Sequence, residues 1–261
     1  MIIVKPKKAL GQHFLKDLDI AARIACTIDS YKGVPVLEIG PGTGVLTRFL
    51  LQNGHDLKVI ELDRESVKYL NENFTELENK IIEGDFLKLN LDDLFPDKYC
   101  IIGNYPYNIS SQIFFKVLEY KDKIPCCSGM IQKEVAERIA SKPGKKAYGI
   151  LSVFLQAFYN IEYLFTVDEH VFDPPPAVKS AVIRMTRNNV SALDCDEVLF
   201  RKVVKAGFNQ RRKTLRNSLK AITGNNKITN AGSILDKRPE QLSVAEFVEL
   251  TNLLEPHISI C

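Results

Sequence analysis

The sequence predicts an α/β domain with an open, mostly parallel β-sheet and helices on both faces, followed by a small all-helical domain. Apolar segments of strand length alternate with helical patterns from Val34 to Ala140. Two further strand patterns follow, and beyond the linker-like Arg187-Asn188-Asn189 the pattern is helical only. The predicted domains are therefore residues 1–187 and residues 188–261.

The predicted elements follow one another in a regular order. The first strand, 34–39, is a short apolar run, and Gly54 closes the helix that follows its glycine-rich turn. The other strands are predicted at 57–62, 80–83, 99–103, 127–132, 162–167 and 178–185, and the helices at 45–51, 66–77, 109–120 and 133–140. Three consecutive prolines in 172–176 cannot donate ladder hydrogen bonds, which predicts a rigid extended loop there. In the final domain, helix breaks are predicted near 207–209 and 224–226.

Composition excludes several classes of protein. A hydrophobic fraction of 45% and a charged fraction of 26% are typical of a globular protein and exclude disordered, collagen-like and coiled-coil chains. No apolar run approaches the ~18–20 residues that cross a bilayer, and the N-terminus lacks the order of a secretory signal, so we expect a cytoplasmic protein. The six cysteines are scattered without metal-ligand spacing, which predicts neither a zinc site nor a disulfide framework. We also expect a monomer, because no long apolar seam is left unassigned.

The excess of positive charge lies near the two ends of the chain. From Asn188 onward there are 11 basic and 8 acidic residues, a net of +3 that equals the net charge of the whole chain. Within this part, 200–221 contains eight basic residues and no acidic one. Four lysines, Lys5, Lys7, Lys8 and Lys16, precede the first acidic residue. Such patches indicate a polyanion partner, and the alternative interpretation is a solvated helix surface.

Glycines or acids follow the first three predicted strands. The first strand runs into Glu38-Ile39-Gly40-Pro41-Gly42-Thr43-Gly44, where the main chain can approach a ligand and a helix N-terminus offers free N–H groups. A dinucleotide fingerprint would need a glycine where Val45 stands, which disfavours a NAD-dependent dehydrogenase. Glu61, at the end of the second strand, is placed to accept hydrogen bonds from two ribose hydroxyls, and Asp63 is the better candidate for a helix cap. With Asp85 after the third strand, these features fit one adenosine-like ligand.

The fourth strand ends in Asn104-Tyr105-Pro106-Tyr107. Pro106 disfavours helical geometry at Tyr105, so nearby carbonyl groups can point into a cleft. The amide carbonyl of Asn104 and a main-chain carbonyl can accept both hydrogens of an exocyclic amine, while the ring of Tyr107 stacks on the base. The amine of adenine needs positioning more than deprotonation, so this neutral tetrapeptide suits it.

The glycine turn, Glu61, Asp85 and Asn104-Tyr105-Pro106-Tyr107 resemble S-adenosylmethionine-dependent methyltransferases that act on adenine amino groups. The segments 8–15, 172–181 and 208–216 further resemble the ribosomal RNA adenine dimethyltransferases, in particular the bacterial small-subunit type associated with kasugamycin sensitivity. The resemblance spans almost the whole chain. It implies a Rossmann-like methyltransferase fold and dimethylation of the N6 amines of two adjacent adenosines in the 3′-terminal hairpin loop of small-subunit rRNA.

The resemblance also implies roles for individual residues. It places S-adenosylmethionine, with S-adenosylhomocysteine as product, against His13, Leu15, Gly40, Glu61, Asp85 and Asn104. It implies that Asn104, Pro106 and Tyr107 are catalytic. It also implies that Phe14 or Phe172 stacks on the second face of the target base, opposite Tyr107, after the base has flipped out of its stack. Position 13 is often asparagine in the family, and a contact between the cofactor and the backbone of residue 13 does not depend on which side chain is present.

The implied partner is small-subunit rRNA within an immature 30S particle, with no metal and no membrane. The implied RNA-binding residues are Arg211, Arg212, Lys213 and Arg216. We expect these residues to lie on one helix, where Arg212 and Arg216 would be one turn apart and could contact successive phosphates.

Two further alternatives remain open at this point. A related large-subunit rRNA methyltransferase of the macrolide-resistance type shares the catalytic body but is expected to lack the basic segment 208–213. A non-catalytic ribosome-assembly factor could have kept the fold, although the intact Asn104, Tyr107 and Glu61 argue against a loss of catalysis.

Overall fold

The computed structural model describes residues 4–7, 10–224 and 232–257. The chain divides into two compact units, of which the first comprises Met1–Ala136 and Asn160–Arg187 and the second comprises Glu137–Tyr159 and Asn188–Cys261. One division follows Arg187, at the predicted position, whereas 137–159 belongs to the second unit and not to the predicted catalytic domain. Lys8 and residues 225–226 of the predicted break at 224–226 lie outside the described residues, while the helix Lys220–Thr223 ends at Gly224 as predicted.

Nine strands are described in the chain. They are β1 (Phe14–Leu15), β2 (Val36–Ile39), β3 (Leu57–Glu61), β4 (Ile81–Glu83), β5 (Cys100–Asn104), β6 (Cys126–Gln132), β7 (Tyr159–Val167), β8 (Phe172–Asp173) and β9 (Ser180–Arg187). Seven of them form one sheet in the order β4-β3-β2-β5-β6-β9-β7, while β1 and β8 pair with each other. The strands from β2 to β6 are parallel and β9 is antiparallel to β6, which confirms the predicted mostly parallel α/β sheet.

The first unit contains α1 (Leu18–Ala25), α2 (Val45–Gln52), α3 (Arg64–Asn73), α4 (Ser110–Glu119) and the start of α5 (Lys133–Ile139). The predicted cap of α3 is confirmed, because the Asp63 side chain accepts a hydrogen bond from the N–H of Glu65. The residues of β2 are buried throughout, as a parallel strand covered on both faces requires. Among the described residues no helix is long and apolar enough to span a membrane.

Two glycines set the spacing at the centre of the sheet. Gly103 of β5 and Gly129 of β6 are register partners. A Cβ atom on Gly129 would lie 2.2 Å from the carbonyl oxygen of Gly103, which is far inside van der Waals contact. The close approach of these two strands therefore requires glycine, and it fixes the backbone immediately before Asn104.

The second unit is helical. It contains α6 (Ile150–Gln156), α7 (Glu197–Asn209), α8 (Leu215–Ser218), α9 (Lys220–Thr223) and α10 (Val244–Leu254). The helix α6 packs against α7, and the rings of Phe154 and Phe200 lie 6.1 Å apart in their shared core. This apolar packing explains why 137–159 joins the helical unit although the sequence predicted it as part of the sheet domain.

One of two predictions about the helices after Arg187 was wrong. The break predicted near 207–209 is confirmed, because α7 ends at Asn209. Gly207 itself lies inside the helix, where a Cβ atom would lie 3.2 Å from Leu215 and 3.3 Å from Pro239, so this glycine permits close packing. The basic segment 211–216 is not one helix. A turn follows α7, with the N–H of Lys213 donating to the carbonyl of Gln210 at 2.8 Å, and α8 begins only after Thr214.

Candidate active site at the carboxyl end of the sheet

A cavity of about 290 Å³ lies at the carboxyl ends of β2, β3, β4 and β5. The strand β2 lies between β3 and β5, so the chain leaves it toward β3 on one side and returns to β5 on the other. Such a switch in strand order opens a crevice at the carboxyl edge of a parallel sheet. Nine predicted site residues line this cavity: His13, Phe14, Leu15, Gly40, Glu61, Asp85, Asn104, Pro106 and Tyr107.

The glycine turn brings main chain to the cavity. Gly40, Gly42 and Gly44 have φ values of 65°, 56° and 77°, which residues with a side chain rarely adopt. A Cβ atom on Gly42 would lie 2.9 Å from the ring of Phe14, and one on Gly44 would lie 2.4 Å from the ring of Phe74. Glycine is therefore needed here both for the backbone conformation and for the space around it.

Glu61 is a buried hydrogen-bond acceptor at the end of β3. One carboxylate oxygen accepts from the N–H of Gly42 and the other from the N–H of Asp63, each at 2.9 Å. Burial raises the pKa of Glu61, and these backbone donors oppose that shift. Each carboxylate oxygen has further acceptor capacity, so Glu61 can hold hydroxyl groups of a ligand from the wall of the cavity.

Glu38 is a second acid of this cavity, and the sequence reasoning assigned it no role. Its side chain is buried inside β2, and Thr47 Oγ1 donates a hydrogen bond to its Oε2 at 2.7 Å. Burial raises the pKa of Glu38 to about 8. At neutral pH Glu38 is therefore mainly a neutral acid. A single acid within the apolar strand Val36–Ile39 was the signal that could have identified it.

Asn104 is held in one orientation by the N-terminal segment. Its Nδ2 donates a hydrogen bond of 3.1 Å to the carbonyl oxygen of His13. Because this contact engages the amide nitrogen, Oδ1 is the amide atom left to accept a hydrogen bond from a ligand. The neighbouring Tyr105 anchors the tetrapeptide, since its buried hydroxyl donates to the carbonyl of Ser128 at 2.7 Å and its N–H to the carbonyl of Met130 at 3.0 Å.

The side chain of Tyr107 lines the cavity and is held in place by a hydrogen bond of its hydroxyl group. The hydroxyl is hydrogen-bonded to the side chain of Ser180 on β9, a partner that sequence reasoning did not supply. Burial raises the pKa of Tyr107, so its hydroxyl stays protonated. The ring stacks with the imidazole of His13, with 5.6 Å between centroids and 24° between planes.

The N-terminal segment, residues 4–7 and 10–15, is attached to the rest of the first unit at two places. The ammonium group of Lys7 pairs with Asp63 and, at 3.2 Å, with Glu65, while its main-chain N–H donates to the Gln12 side chain at 2.8 Å. At the other end, β1 pairs with β8, so that Leu15 lies opposite Phe172. The segment predicted as an extended loop at 172–176 therefore begins as a strand.

The two predicted base-stacking phenylalanines lie in different surroundings. The Phe172 side chain is 1% exposed and belongs to the hydrophobic core of the first unit. Phe14 lines the cavity, but its ring packs on Gly42 in the glycine turn. The structure thus brings Phe14 to the site and does not bring Phe172 there.

The predicted RNA-binding residues lie in the second unit and have distinct partners. Arg211 donates from its guanidinium to the carbonyl oxygens of Lys146 and Tyr148, at 2.9 and 3.4 Å. Arg216 pairs with Asp236 at 2.9 Å. Arg212 and Lys213 are exposed. Since Arg212 lies in a turn and Arg216 in α8, the predicted one-turn spacing on a common helix was wrong.

The sheet topology, the glycine turn, the buried acid of β3 and the Asn-Tyr-Pro-Tyr tetrapeptide together define a class, the Rossmann-like methyltransferases. The family model for ribosomal RNA adenine dimethylase matches residues 3–255. The chain belongs to this family.

Relatives extend over nearly the full chain. The sequence is 68% identical to ribosomal RNA small subunit methyltransferase A of Parabacteroides distasonis, over 99% of this chain and 97% of the relative. It is 65% identical to the protein of the same name in Phocaeicola vulgatus, over 98% and 91% respectively. A group of three or more His, Cys, Asp or Glu side chains able to hold a metal ion is absent from the described part of the chain.

Two solved structures have the same fold. A dimethyladenosine transferase from Plasmodium falciparum superposes with a TM-score of 0.81 at 24% identity, covering 94% of this chain and 98% of that one. The 23S rRNA methyltransferase ErmE superposes with a TM-score of 0.69 at 26% identity, covering 92% and 99%. The fold thus extends over the helical second unit as well as over the sheet.

We expect Glu38→Gln to change how stability depends on pH. The pKa of Glu38 is raised from 4.5 to about 8, so the folded protein binds more protons than the unfolded chain between these values. Wild-type stability therefore falls as pH rises through this window, whereas a glutamine contributes no such loss. Relative to wild type, the variant should gain about 4 kcal/mol between about pH 5 and about pH 9.

Denaturant unfolding across that pH range measures the difference. The exposed Glu72→Gln of α3 is the matched control. A pH-independent offset for Glu38→Gln would contradict a neutral, buried Glu38.

Proposed function

We propose that this member of the adenine dimethylase family dimethylates the N6 amines of two adjacent adenosines in the 3′-terminal hairpin loop of small-subunit rRNA. It would act as a cytoplasmic monomer on an immature 30S particle. The observation that carries the proposal is the orientation of Asn104. Its amide nitrogen is engaged by the His13 carbonyl, which leaves Oδ1 as an acceptor, and both Asn104 and Tyr107 line the cavity. The names of the relatives at 65% and 68% identity support the small-subunit substrate.

The residues of the cavity fit S-adenosylmethionine. The cavity has a volume of about 290 Å³, which is close to the lower limit for small-molecule pockets. The glycine turn offers close main-chain approach, and Glu61 has acceptor capacity for two ribose hydroxyls. His13, Leu15, Gly40, Glu61, Asp85 and Asn104 would hold the cofactor. When bound, the cofactor supplies an electrophilic methyl group on a sulfonium.

The tetrapeptide residues position the amine that is methylated. Asn104 Oδ1 and a main-chain carbonyl of the tetrapeptide accept hydrogen bonds from the amine, and Tyr107 stacks on the adenine ring. Tyr105 and Pro106 hold this backbone in place, the first through its buried hydroxyl. None of these groups is a base at neutral pH, so the protein contributes mainly orientation and exclusion of water.

Replacing Asn104 tests the proposed function. In Asn104→Ala the amine loses its side-chain acceptor, so turnover at saturating cofactor should fall by about 100-fold or more, as for other groups that orient a reacting centre. Asn71→Ala, the same change at an exposed position of α3, should leave turnover unchanged. The assay measures methyl transfer to immature small subunits and identifies dimethyladenosine by mass spectrometry, with mature subunits and naked RNA as controls.

Two results would contradict the proposal. Preferred methylation of large-subunit RNA by the wild type would favour the macrolide-resistance type of activity. Binding to immature small subunits without any methyl transfer would favour an assembly factor.

Glu61 provides a separate test of the cofactor site. In Glu61→Ala the hydroxyl groups of the ribose would lose a charged partner, which should weaken S-adenosylmethionine binding by about 1–3 kcal/mol. The exposed Glu83, at the end of the neighbouring strand β4, is the matched position for a Glu→Ala control. Calorimetry measures both affinities, and thermal unfolding shows whether each variant is folded. An unchanged affinity in a folded Glu61→Ala protein would rule out this assignment.

RNA binding is argued from the distribution of charge between the units. The second unit, Glu137–Tyr159 and Asn188–Cys261, contains 15 basic and 9 acidic residues, a net of +6. The first unit contains 20 basic and 23 acidic residues, a net of −3. The segment 137–159 is responsible for the difference from the predicted balance, since it carries four basic residues and one acid. Electrostatic attraction of RNA therefore depends on the second unit.

Arg211 joins two basic segments of that unit. Its bonds to the carbonyl groups of Lys146 and Tyr148 place the exposed loop 142–147 beside the turn 210–213. The exposed cations Lys145, Lys146, Arg212 and Lys213 form what we call the basic ridge. In this arrangement Arg211 supports the ridge, and Arg216 is partly neutralised by Asp236.

Removing positive charge from the basic ridge should weaken binding to the small-subunit particle. We consider two double variants, one with Arg212 and Lys213 changed to alanine and one with Lys145 and Lys146 changed to alanine. Each should lower the affinity about tenfold and reduce the slope of log affinity against log salt concentration by about 1–2. The matched control replaces the exposed Lys32 and Lys68 of the first unit. Cofactor affinity should be unchanged in all three. An unchanged slope in both ridge variants would show that RNA is held elsewhere.

A further inference from the structure

We infer that Lys116 is a positioning residue of the cofactor site, because its side chain holds the segment that carries Asp85 in place at the cavity. The inference rests on the proposed function, in which Asp85 contacts the bound cofactor. It concerns a residue of α4 that does not itself line the cavity and acts on the site only through the segment that does.

The segment after β4 brings Asp85 to the cavity in a tight turn. Residues 84–87 line the cavity, and a short 3-10 helix covers Phe86–Lys88. Asp85 caps this helix, since its Oδ1 accepts a hydrogen bond of 3.0 Å from the N–H of Leu87. The main chain of Leu87 therefore orients the carboxylate, and the position of Asp85 at the cavity depends on the position of that main chain.

Lys116 binds the same main chain from the side of α4. Its ammonium group donates hydrogen bonds to the carbonyl oxygen of Leu87, at 3.0 Å, and to the carbonyl oxygen of Leu89. Leu87 is thus bound at both ends, since its carbonyl accepts from Lys116 and its N–H donates to Asp85. The ammonium group also lies 5.5 Å from the ring centre of Phe86, which is a cation–π contact with a further residue of the segment.

The burial of Lys116 makes these contacts stronger than those of a surface lysine. Lys116 is 7% exposed, and no other lysine is buried within the part of the chain that the structure describes. Desolvation lowers the pKa of Lys116, and the negative charges of Glu119 and Asp85 oppose that shift. The ammonium group therefore interacts with the Asp85 carboxylate through space as well as through the main chain.

A second side chain at the end of α4 holds the next part of the segment. Tyr120, the C-terminal cap of α4, donates from its hydroxyl to Oδ1 of Asn90 at 3.1 Å and accepts from the N–H of Leu91 at 3.3 Å. Since Tyr120 comes four residues after Lys116, both side chains reach the segment from one face of the helix. Asn90 and Leu91 lie outside the cavity lining, so the contacts of Lys116 are the ones that bear on Asp85.

A double-mutant cycle tests whether Lys116 acts through Asp85. The variants are Lys116→Met, Asp85→Ala and the double substitution, and calorimetry measures the affinity of each full-length protein for S-adenosylhomocysteine. Lys116→Met keeps an unbranched side chain and removes the donors, so affinity should fall about tenfold. In the Asp85→Ala background the same change should lower affinity by less than about twofold, because the carboxylate that Lys116 positions is already absent.

Two further variants separate this role from a general effect on stability. Lys123→Met is the matched control, because Lys123 pairs with Asp92 and donates to the carbonyl of Phe95, beyond the part of the segment that lines the cavity. It should bind S-adenosylhomocysteine like wild type. Lys116→Arg keeps the charge and the donors and should restore most of the affinity that Lys116→Met loses. Thermal unfolding shows whether each variant is folded, and Lys116→Gln replaces Lys116→Met in the cycle if the latter is not.

Steady-state kinetics give the second readout. Lys116→Met should raise KM for S-adenosylmethionine about tenfold and leave kcat at saturating cofactor within about twofold of wild type. Unchanged affinity in folded Lys116→Met, or losses that multiply in the double variant, would overturn the inference. A fall in kcat at unchanged KM would do the same, since Lys116 would then act on the tetrapeptide that precedes α4. Failure of the proposed function would appear in the wild type itself, as absent methyl transfer to immature small subunits, whereas the binding cycle requires no RNA.

Discussion

The parallel register of β2, β3 and β5 is the constraint on which the site depends. Because these strands end at one edge, a glycine turn, a buried acid and an amide from three distant segments meet around one cavity. The close pairing of Gly103 with Gly129 fixes the position of β5, and with it the position of Asn104 at the end of that strand. The chemistry proposed here needs orientation above all, and a rigid sheet edge supplies it more accurately than loops alone would.

The second support of the site is the N-terminal segment, which closes the cavity from outside the sheet. It contributes the carbonyl that orients Asn104 and the ring that covers Tyr107. Asp63 links this segment to the sheet edge, because it caps α3, pairs with Lys7 and donates its N–H to Glu61. Asp63 thus connects the N-terminal segment to Glu61, the residue that would hold the cofactor. The second unit adds the positive charge that the first unit lacks.

The fold and most of the cavity were predictable from the sequence because their signals are local. Apolar runs set β2, β3 and β5 to within two residues, and Asp63 was recognised as a cap from its place before a helical pattern. The pairing of β1 with β8 could not be predicted, since two-residue strands carry no periodicity. The burial of Phe172 follows from that pairing and was therefore missed. The end of α7 was predictable from 207–209, whereas the turn 210–213 was not, because the carbonyl groups that Arg211 contacts, those of Lys146 and Tyr148, are distant in sequence.

The distance along the chain between the N-terminal segment and its partners has a consequence for the order of folding. His13 bonds to residues 91 and 161 positions later, so it emerges from the ribosome long before either partner exists. Contacts of such separation form late, after the loops between them have closed. A nascent chain that ends before β8 can already pair its parallel strands, yet it has no closed cavity. Completion of the site is thereby coupled to synthesis of the last part of the sheet unit.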